Sequence, residues 1–226
     1  MLDGFSLAHD DRQVTLPASS QRLLAYLSLH DRPLGRTRVA FTLWTNADET
    51  RAFGALRSAL WRLRRVPHPL VVASPQGLAL APGIRVDLRE GMGLANALLD
   101  GEGDGDWTGV HASQLQGELL PDWYDDWVVR AREQFDELRV HALEALSERN
   151  LRAGRHARAI EAGLAAAHAE PLRESTHRAL IRAYVAEGNH AEALDHYHRF
   201  ARRLRDEVGM RPSDQMDTLV RAIAVL

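Results

Sequence analysis

Two short stretches decide the fold: Gly154-Arg-His-Ala-Arg-Ala-Ile160 returns as Gly188-Asn-His-Ala-Glu-Ala-Leu194, 34 residues later. The same offset relates Leu138-Arg139 to Leu172-Arg173. A 34-residue period is typical of tetratricopeptide helix pairs, in which a Gly ends the first helix and small Ala residues let the next helix pack closely. The second half is therefore predicted to be an all-α, tetratricopeptide-like domain.

The segments on either side of the repeat are predicted to cap it. A long helix is expected from about Trp127 to Leu151, and Ser213–Leu226 follows the second helix pair. Pro171 and Pro212 lie at the repeat boundaries, where a proline restarts the chain after a helix.

The first half has a different pattern. Phe5–Ala8 and Gln13–Pro17 alternate between apolar and polar residues, which predicts two short strands around a turn at Asp10-Asp11. Ser19 or Ser20 is a suitable N-cap for the helix that follows. A small N-terminal sheet and a capped helix therefore open the chain.

Two further helices and a hairpin complete this half. The helices are predicted over about 36–44 and from 46–49 to about 66, the hairpin over 70–73 and 78–80, and a further strand over 84–88. Strands, three helices and a hairpin make a winged helix-turn-helix. The sequence thus predicts a mainly α protein with a winged-helix domain over 1–88 and a helical domain over 89–226.

The net charge of −3 conceals two halves of opposite sign. Residues 1–90 hold twelve Arg against eight acidic residues, and residues 91–226 hold sixteen Arg against 23. Between Gln21 and Leu70 nine Arg face only three acidic residues. This asymmetry indicates a polyanionic partner for the first half.

The third predicted helix concentrates this charge on one face. At 100° per residue, Arg51, Ala55, Ser58, Arg62 and Arg65 share one side, and Phe53, Leu56, Leu60 and Leu63 gather on the other. Such a helix fits the DNA major groove, where Arg can bind guanine through two hydrogen bonds. A solvated Arg-rich helix has the same pattern, but the winged-helix order of elements favours DNA binding.

Each polar residue of this surface has a predicted role. Arg62 is the best candidate for reading a base, and Ser58 can serve either base type. The flanking arginines are expected on the DNA backbone, those at the start of the second helix on phosphate, and the hairpin tip in the minor groove. The predicted DNA-binding residues are Arg36, Arg38, Arg51, Arg57, Ser58, Trp61, Arg62, Arg64, Arg65 and Gln76.

Three motifs of the first half resemble the DNA-binding domain of the Streptomyces antibiotic regulatory proteins. They are Arg22-Leu-Leu-Ala-Tyr-Leu-Ser-Leu29, Leu43-Trp44 and Leu56-Arg-Ser-Ala-Leu-Trp-Arg-Leu-Arg-Arg65. Trp127-Val-Val-Arg-Ala-Arg-Glu133 and Leu204-Arg-Asp-Glu-Val-Gly209 resemble the bacterial transcriptional activator domain of the same family.

The resemblance implies a winged helix of the response-regulator output type and a transcriptional activator. Such a protein binds direct repeats near promoters and engages RNA polymerase, with the helical half assisting dimer formation or polymerase contact. The wing departs from the family, since Pro75-Gln76-Gly77-Leu78 stands where members commonly have Gly followed by an aromatic residue. Larger members carry a nucleotide-hydrolysing domain, but this sequence has no Gly-rich Lys-Ser/Thr phosphate loop, so neither ATP nor GTP is expected.

Other site classes are weakly supported. The chain has no Cys, no apolar run long enough to span a membrane and no secretory signal, so a cytoplasmic location is expected. The Gly-rich acidic stretch 100–109 lacks EF-hand spacing, and the histidines, including His196 and His198, are interpreted as structural or solvent-facing. The acids Asp122, Asp125 and Asp126 accompany no nucleophile, so neither enzyme activity nor a metal or cofactor is expected.

Two alternatives to DNA-dependent activation stay open. The chain could be an interaction adaptor whose helical domain binds a partner and whose winged helix no longer reads DNA. It could also be an activator whose helical half senses a small ligand, although no residue marks such a site. The local excess of arginine favours DNA binding over the adaptor.

Overall fold

A computed structural model describes residues 1–101 and 107–223, and these residues are mainly helical. They form two compact units, the first made of Met1–Glu90 with Gly117–Glu133 and the second of Gly91–Gln116 with Gln134–Leu226. The predicted fold class, a winged helix-turn-helix followed by a helical domain, is confirmed.

The first unit is a winged helix. Its elements are strands β1 (Ala8–His9) and β2 (Arg12–Gln13), helices α1 (Ala18–Ser28), α2 (Arg36–Leu43) and α3 (Glu49–Leu63), and strands β3 (Val71–Ser74) and β4 (Gly77–Leu80). Both strand pairs are antiparallel, and Leu34 adds a bridge to β4 through two 2.8 Å hydrogen bonds with Leu78.

The core of this unit is formed by the apolar stripes of the three helices and by the hairpin. Leu23 and Leu27 of α1, Leu43 of α2, Leu56 of α3 and Leu78 of β4 are all fully buried in one cluster. Because each helix is apolar on one side only, its polar side remains on the surface.

Two local predictions in this unit are wrong. Neither Ser19 nor Ser20 caps α1: Pro17 is the N-cap, and its carbonyl oxygen accepts hydrogen bonds from the N–H groups of Ser20 and Gln21. No strand forms over 84–88, because helix α4 (Asp87–Asp100) begins there with two acidic residues in its first turn. Acidic side chains in the first turn stabilise a helix by interacting with the positive end of its dipole. The strand was predicted because a short apolar run is compatible with a strand as well as with a helix.

The second unit carries the predicted helical repeat. Besides part of α4 and a short 3-10 helix (Ala112–Leu115), it contains α5 (Asp126–Arg152, which begins in the first unit), α6 (His156–Ala169), α7 (Glu174–Glu187), α8 (His190–Val208) and α9 (Asp214–Ile223). Gly154 and Gly188 both have positive φ, 68° and 89°, and reverse the chain after the first helix of each pair. Equivalent hydrogen bonds of 2.9 Å, from Arg155 N–H to Asn150 and from Asn189 N–H to Tyr184, close both turns.

Close helix packing in this unit depends on small residues. A Cβ atom at Gly163 of α6 would lie 3.0 Å from the Cα of Leu180 in α7. Ala162 and Ala166 of α6 are fully buried in the same layer. The predicted role of small side chains at the helix contacts is thus visible in the structure.

Residues 117–133 belong to the first unit, although the helical domain predicted over 89–226 includes them. Asp3 N–H donates to the carbonyl oxygen of Glu118 at 2.8 Å, and the Trp123 ring stacks on Phe5 with centroids 6.1 Å apart. The contacts join positions more than 100 residues apart, which no local pattern indicates. The division at residues 88 and 89 stays a prediction.

Candidate nucleic-acid interface

Helix α3 is well defined at its start and has one buried face. The Asp48 carboxylate is its N-cap and accepts a hydrogen bond from the Arg51 N–H at 2.9 Å. Ala52, Leu56, Ala59 and Leu63 are the buried residues of the helix. Phe53 and Leu60 were also predicted to lie on the apolar face, but they are only partly buried.

All ten residues of the predicted DNA-binding set are exposed. They are Arg36, Arg38, Arg51, Arg57, Ser58, Trp61, Arg62, Arg64, Arg65 and Gln76. At 100° per residue, Arg51, Ser58, Arg62 and Arg65 lie within about 60° of arc on α3 and just past its end, about 120° round the helix axis from the buried face. Arg57 and Arg64 lie about as far from the buried face on its other side. The structure therefore presents one arginine face and a second basic side next to it.

Three of these arginines are held by a neighbouring side chain. Arg51 Nε lies 3.3 Å from a carboxylate oxygen of Asp48, and Arg62 Nη1 donates to Ser19 Oγ at 3.3 Å. The Arg65 guanidinium lies 3.9 Å from the ring centroid of Trp61, whose side chain is 55% exposed. All three contacts leave N–H donors of the guanidinium free, since each guanidinium has five.

Helix α2 contributes two arginines at its start. Arg36 and Arg38 lie in the first turn, which has no acidic side chain and no side-chain cap. Over residues 1–101 and 107–223, neither arginine forms an ion pair. Positive side chains at the positive end of a helix dipole favour an anion at this position.

The hairpin β3–β4 has the form of a wing. Its tip is Pro75-Gln76, both exposed, and Gly77 follows with a φ of 139°. A Cβ at Gly77 would lie 2.2 Å from the carbonyl oxygen of Leu34, so only glycine fits beside the Leu34 bridge. Glycine at this position therefore serves the packing of the wing against the body of the unit.

Residues 97–224 match the protein family described as Bacterial transcriptional activator domain, which covers more than half of the chain. The chain belongs to this family. It is also 31% identical, over 236 aligned residues, to Regulatory protein AfsR from Streptomyces coelicolor, and the match covers 98% of the chain and 23% of that protein. The resemblance to the Streptomyces antibiotic regulatory proteins is confirmed.

A solved structure has the same fold. The structure of Mycobacterium tuberculosis EmbR in complex with a low-affinity phosphopeptide superposes with a TM-score of 0.72 at 23% identity. The match covers 99% of this chain and 64% of that one. This member of the bacterial transcriptional activator domain family thus spans about a quarter of the length of AfsR and about two thirds of that solved chain.

One arginine of the basic stretch is paired with a carboxylate that is distant in sequence. Arg22 Nη2 donates to the Asp125 carboxylate, which belongs to the segment 117–133 of the same unit. Asp125 is one of the three neighbouring acids from which no enzyme activity is expected, and the structure pairs it with a cation. The sequence offers no signal for this pair because its members are 103 residues apart.

Ser19 is the residue of this surface that sequence reasoning missed. It was considered only as a helix cap, whereas its hydroxyl lies beside Arg62. The Arg89 guanidinium donates to the carbonyl oxygens of Ser28 and His30, at 2.8 and 2.6 Å, around the end of α1.

The histidines of the second unit include one hydrogen-bonded pair, buried His177 and half-buried His196. His177 is 6% exposed, and its Nε2 lies 3.0 Å from the carbonyl oxygen of Pro171, so this nitrogen carries the proton. Nδ1 then accepts a 2.8 Å hydrogen bond from His196 Nε2. Burial lowers the pKa of both rings, that of His196 to about 4. Both rings are therefore neutral at pH 7.

The described residues, 1–101 and 107–223, contain neither a metal-binding cluster nor a helix that could span a membrane. No group of three or more His, Asp or Glu side chains there is arranged to hold a metal ion. Residues 102–106 of the Gly-rich acidic stretch lie outside those ranges. No described helix combines the length and apolar character needed to cross a bilayer.

Proposed function

We propose that this chain is a sequence-specific DNA-binding transcriptional regulator that activates from direct repeats near promoters. The observation that carries the proposal is the exposed arginine face of α3, a helix whose buried face packs in the core of a winged helix. A helix of this kind can enter the major groove with its inner face still packed on the protein core. Membership of the bacterial transcriptional activator domain family supports the same role.

The exposed residues divide into two groups by the contact each would make. Arg62 and Ser58 are proposed to read base edges, because both lie on the arginine face between Arg51 and Arg65 along the helix axis. The remaining residues are proposed to orient the protein on the duplex: Arg51, Arg57 and Trp61 from α3, Arg64 and Arg65 from the turn after it, Arg36 and Arg38 from α2, and Gln76 from the wing.

The second unit is proposed to contact RNA polymerase and to assist formation of a homodimer on the repeats. Its acidic excess makes binding of DNA by this half unfavourable, which supports protein partners. Neither a catalytic step nor a cofactor is part of the proposal, and action on chromosomal DNA implies a cytoplasmic location.

The decisive experiment is recovery of bound fragments from sheared source-genome DNA by the full chain at about 50 and 200 mM salt, a range over which phosphate-driven binding weakens strongly. We expect a few promoter-proximal fragments to remain enriched at the higher salt, and their sequencing gives the repeat and its spacing. Uniform recovery that vanishes at the higher salt, or no recovery at either, would contradict the proposal.

A protein-interaction adaptor is the second candidate. The tetratricopeptide-like array of α5 to α8 supports it, because stacked helix pairs offer extended surfaces for partners. An adaptor that does not bind DNA would not explain the exposed arginine face on α3, which favours the DNA-binding regulator. Failure to enrich any genomic fragment, together with recovery of a protein that binds the second unit, would favour this candidate.

A further inference from the structure

We propose that Ser19, in the first turn of α1, is a positioning residue for base readout: its hydroxyl holds the Arg62 guanidinium in the orientation in which Arg62 meets a base edge. The inference rests on the proposed function, because it assigns a role within the same DNA-binding surface. Ser19 itself contacts no base in this proposal and acts through Arg62.

The contact joins two helices. Arg62 Nη1 donates to Ser19 Oγ at 3.3 Å, across 43 residues of sequence. In the part of the chain that the structure describes, Arg62 has no carboxylate partner, so the hydroxyl is the group that orients it. One donor is used and four N–H donors remain, enough for a bidentate contact with guanine O6 and N7.

A buried contact fixes the place of Ser19 on the surface. The next residue, Ser20, is fully buried, and its hydroxyl donates to the carbonyl oxygen of Ala59 at 3.4 Å. Ala59 lies one helical turn before Arg62 on α3. The first turn of α1 is therefore anchored against α3, which leaves Ser19 beside Arg62 rather than free in solvent.

The same arrangement recurs along the arginine face and is absent from the other basic side. Arg51 is held by Asp48, Arg62 by Ser19 and Arg65 by Trp61. Within the described ranges, Arg57 and Arg64 have no ion pair, side-chain hydrogen bond or aromatic partner. The held arginines are thus those of the arginine face.

A fixed orientation matters for Arg62 in particular, because it is the arginine proposed to read a base. A bidentate base contact requires one orientation of the guanidinium plane, and a side chain already held near that orientation loses less rotamer freedom on binding. A phosphate contact tolerates many orientations because it is largely electrostatic. Loss of the Ser19 hydroxyl should therefore reduce discrimination between sequences and leave the affinity for arbitrary DNA unchanged.

The test uses the full chain and two duplexes: the fragment most enriched in the genomic recovery, and a scrambled duplex of the same length and composition. We expect Ser19→Ala to weaken binding to the enriched duplex by about two- to fivefold, the effect of one exposed hydrogen bond, with no change on the scrambled duplex. Ser19→Thr keeps a hydroxyl and should restore most of the affinity. Ser113→Ala, at an exposed serine of the second unit, is the matched control.

A double-mutant cycle separates positioning from a general structural role. If Ser19 acts through Arg62, Ser19→Ala causes no further loss in an Arg62→Ala background. A loss that persists in that background, an equal loss on both duplexes, or no loss on the enriched duplex would overturn the inference. A wild-type chain that does not discriminate between the duplexes would instead refute the proposed function, and the inference with it.

Discussion

At the scale of single residues, the arginines of the first unit differ in what their guanidinium groups contact. Arg22 is paired with Asp125, Arg62 is held by a neutral hydroxyl, and Arg36 extends freely from the first turn of α2. A paired arginine adds little to the field that a polyanion meets, whereas a free one adds a full charge. The count of arginines in the sequence therefore overestimates the charge available to DNA.

Arg62→Ala and Arg36→Ala should fail in different ways. Arg62→Ala removes a base contact and should reduce discrimination between the enriched and scrambled duplexes by about 1 to 3 kcal/mol. Arg36→Ala removes a phosphate contact, so it should weaken binding to both duplexes equally. It should also reduce the slope of log affinity against log salt concentration by about one. Binding isotherms over a salt series measure both quantities. Equal losses on both duplexes in the two variants would show that Arg62 is not a base reader.

At the scale of elements, the wing depends on one close backbone approach. Gly77 follows the hairpin tip, and its Cα lies against the Leu34 carbonyl group. Gly35, the next residue after Leu34, has open space around it and an ordinary negative φ of −55°. The two glycines are neighbours in space but face different constraints.

Gly77→Ala should destabilise the first unit, whereas Gly35→Ala should not. A methyl group at residue 77 would clash with the Leu34 backbone, and an alanine would have to keep a φ of 139°, which L residues rarely adopt. We therefore expect a loss of about 1 to 3 kcal/mol in the free energy of unfolding. Gly35 is the N-cap of α2, where alanine is less favourable than glycine. The loss in the free energy of unfolding for Gly35→Ala should therefore stay below about 1 kcal/mol. Urea unfolding followed by circular dichroism measures both, and equal midpoints for the two variants would contradict the expectation.

The contact between α7 and α8 should make the second unit sensitive to acid. Because burial lowers the pKa of His177 and His196 in the folded chain, that of His196 to about 4, the unfolded chain binds protons more readily. Stability present above pH 6.5 is therefore lost progressively as the pH falls towards about 4. The melting temperature should decrease over this window, and His196→Gln should flatten the decrease. The control His198→Gln, at an exposed position two residues along α8, should leave the slope as it is; an unchanged slope in His196→Gln would contradict the assignment.

At the scale of the whole molecule, the winged helix is completed by a segment distant in sequence. The centroid of the Trp127 ring lies 5.3 Å from that of Tyr26 in α1 and 6.2 Å from that of Trp123. The ring packs against the hydrophobic core of the first unit. Tyr124 in the same segment is 80% exposed. Helix α1 thus packs against residues that follow it by about 100 positions.

Trp127→Ala should lower the protection of α1 in the full chain. Removing a partly buried aromatic ring costs roughly 1 to 3 kcal/mol, less than the value for full burial. Hydrogen exchange by mass spectrometry should show faster exchange for the amides of α1 than in the wild type. Tyr124→Ala, at the exposed ring, should leave exchange unchanged. Equal exchange of α1 in the two variants would show that the segment does not support the winged helix.

Much of the fold and of the candidate site was predictable from local pattern. The 34-residue offset between Gly154 and Gly188 predicted the helix pairs, because a glycine of positive φ and small packing residues recur wherever the same turn recurs. The exposed face of α3 followed from its 3.6-residue period. Helix α4 was missed, since its first residues, Asp87 and Leu88, ended a run whose alternation also suits a strand.

The amino-acid sequence by itself determined the winged helix, the helical repeat and the arginine face, since all three depend on periodicity and residue type within short segments. Only the tertiary structure decided that Pro17 rather than a serine caps α1, that Arg22 is neutralised by Asp125, and that Ser19 holds Arg62. The last two are contacts between side chains 43 to 103 residues apart. Such contacts depend on how packed elements meet in space, which no local spacing encodes.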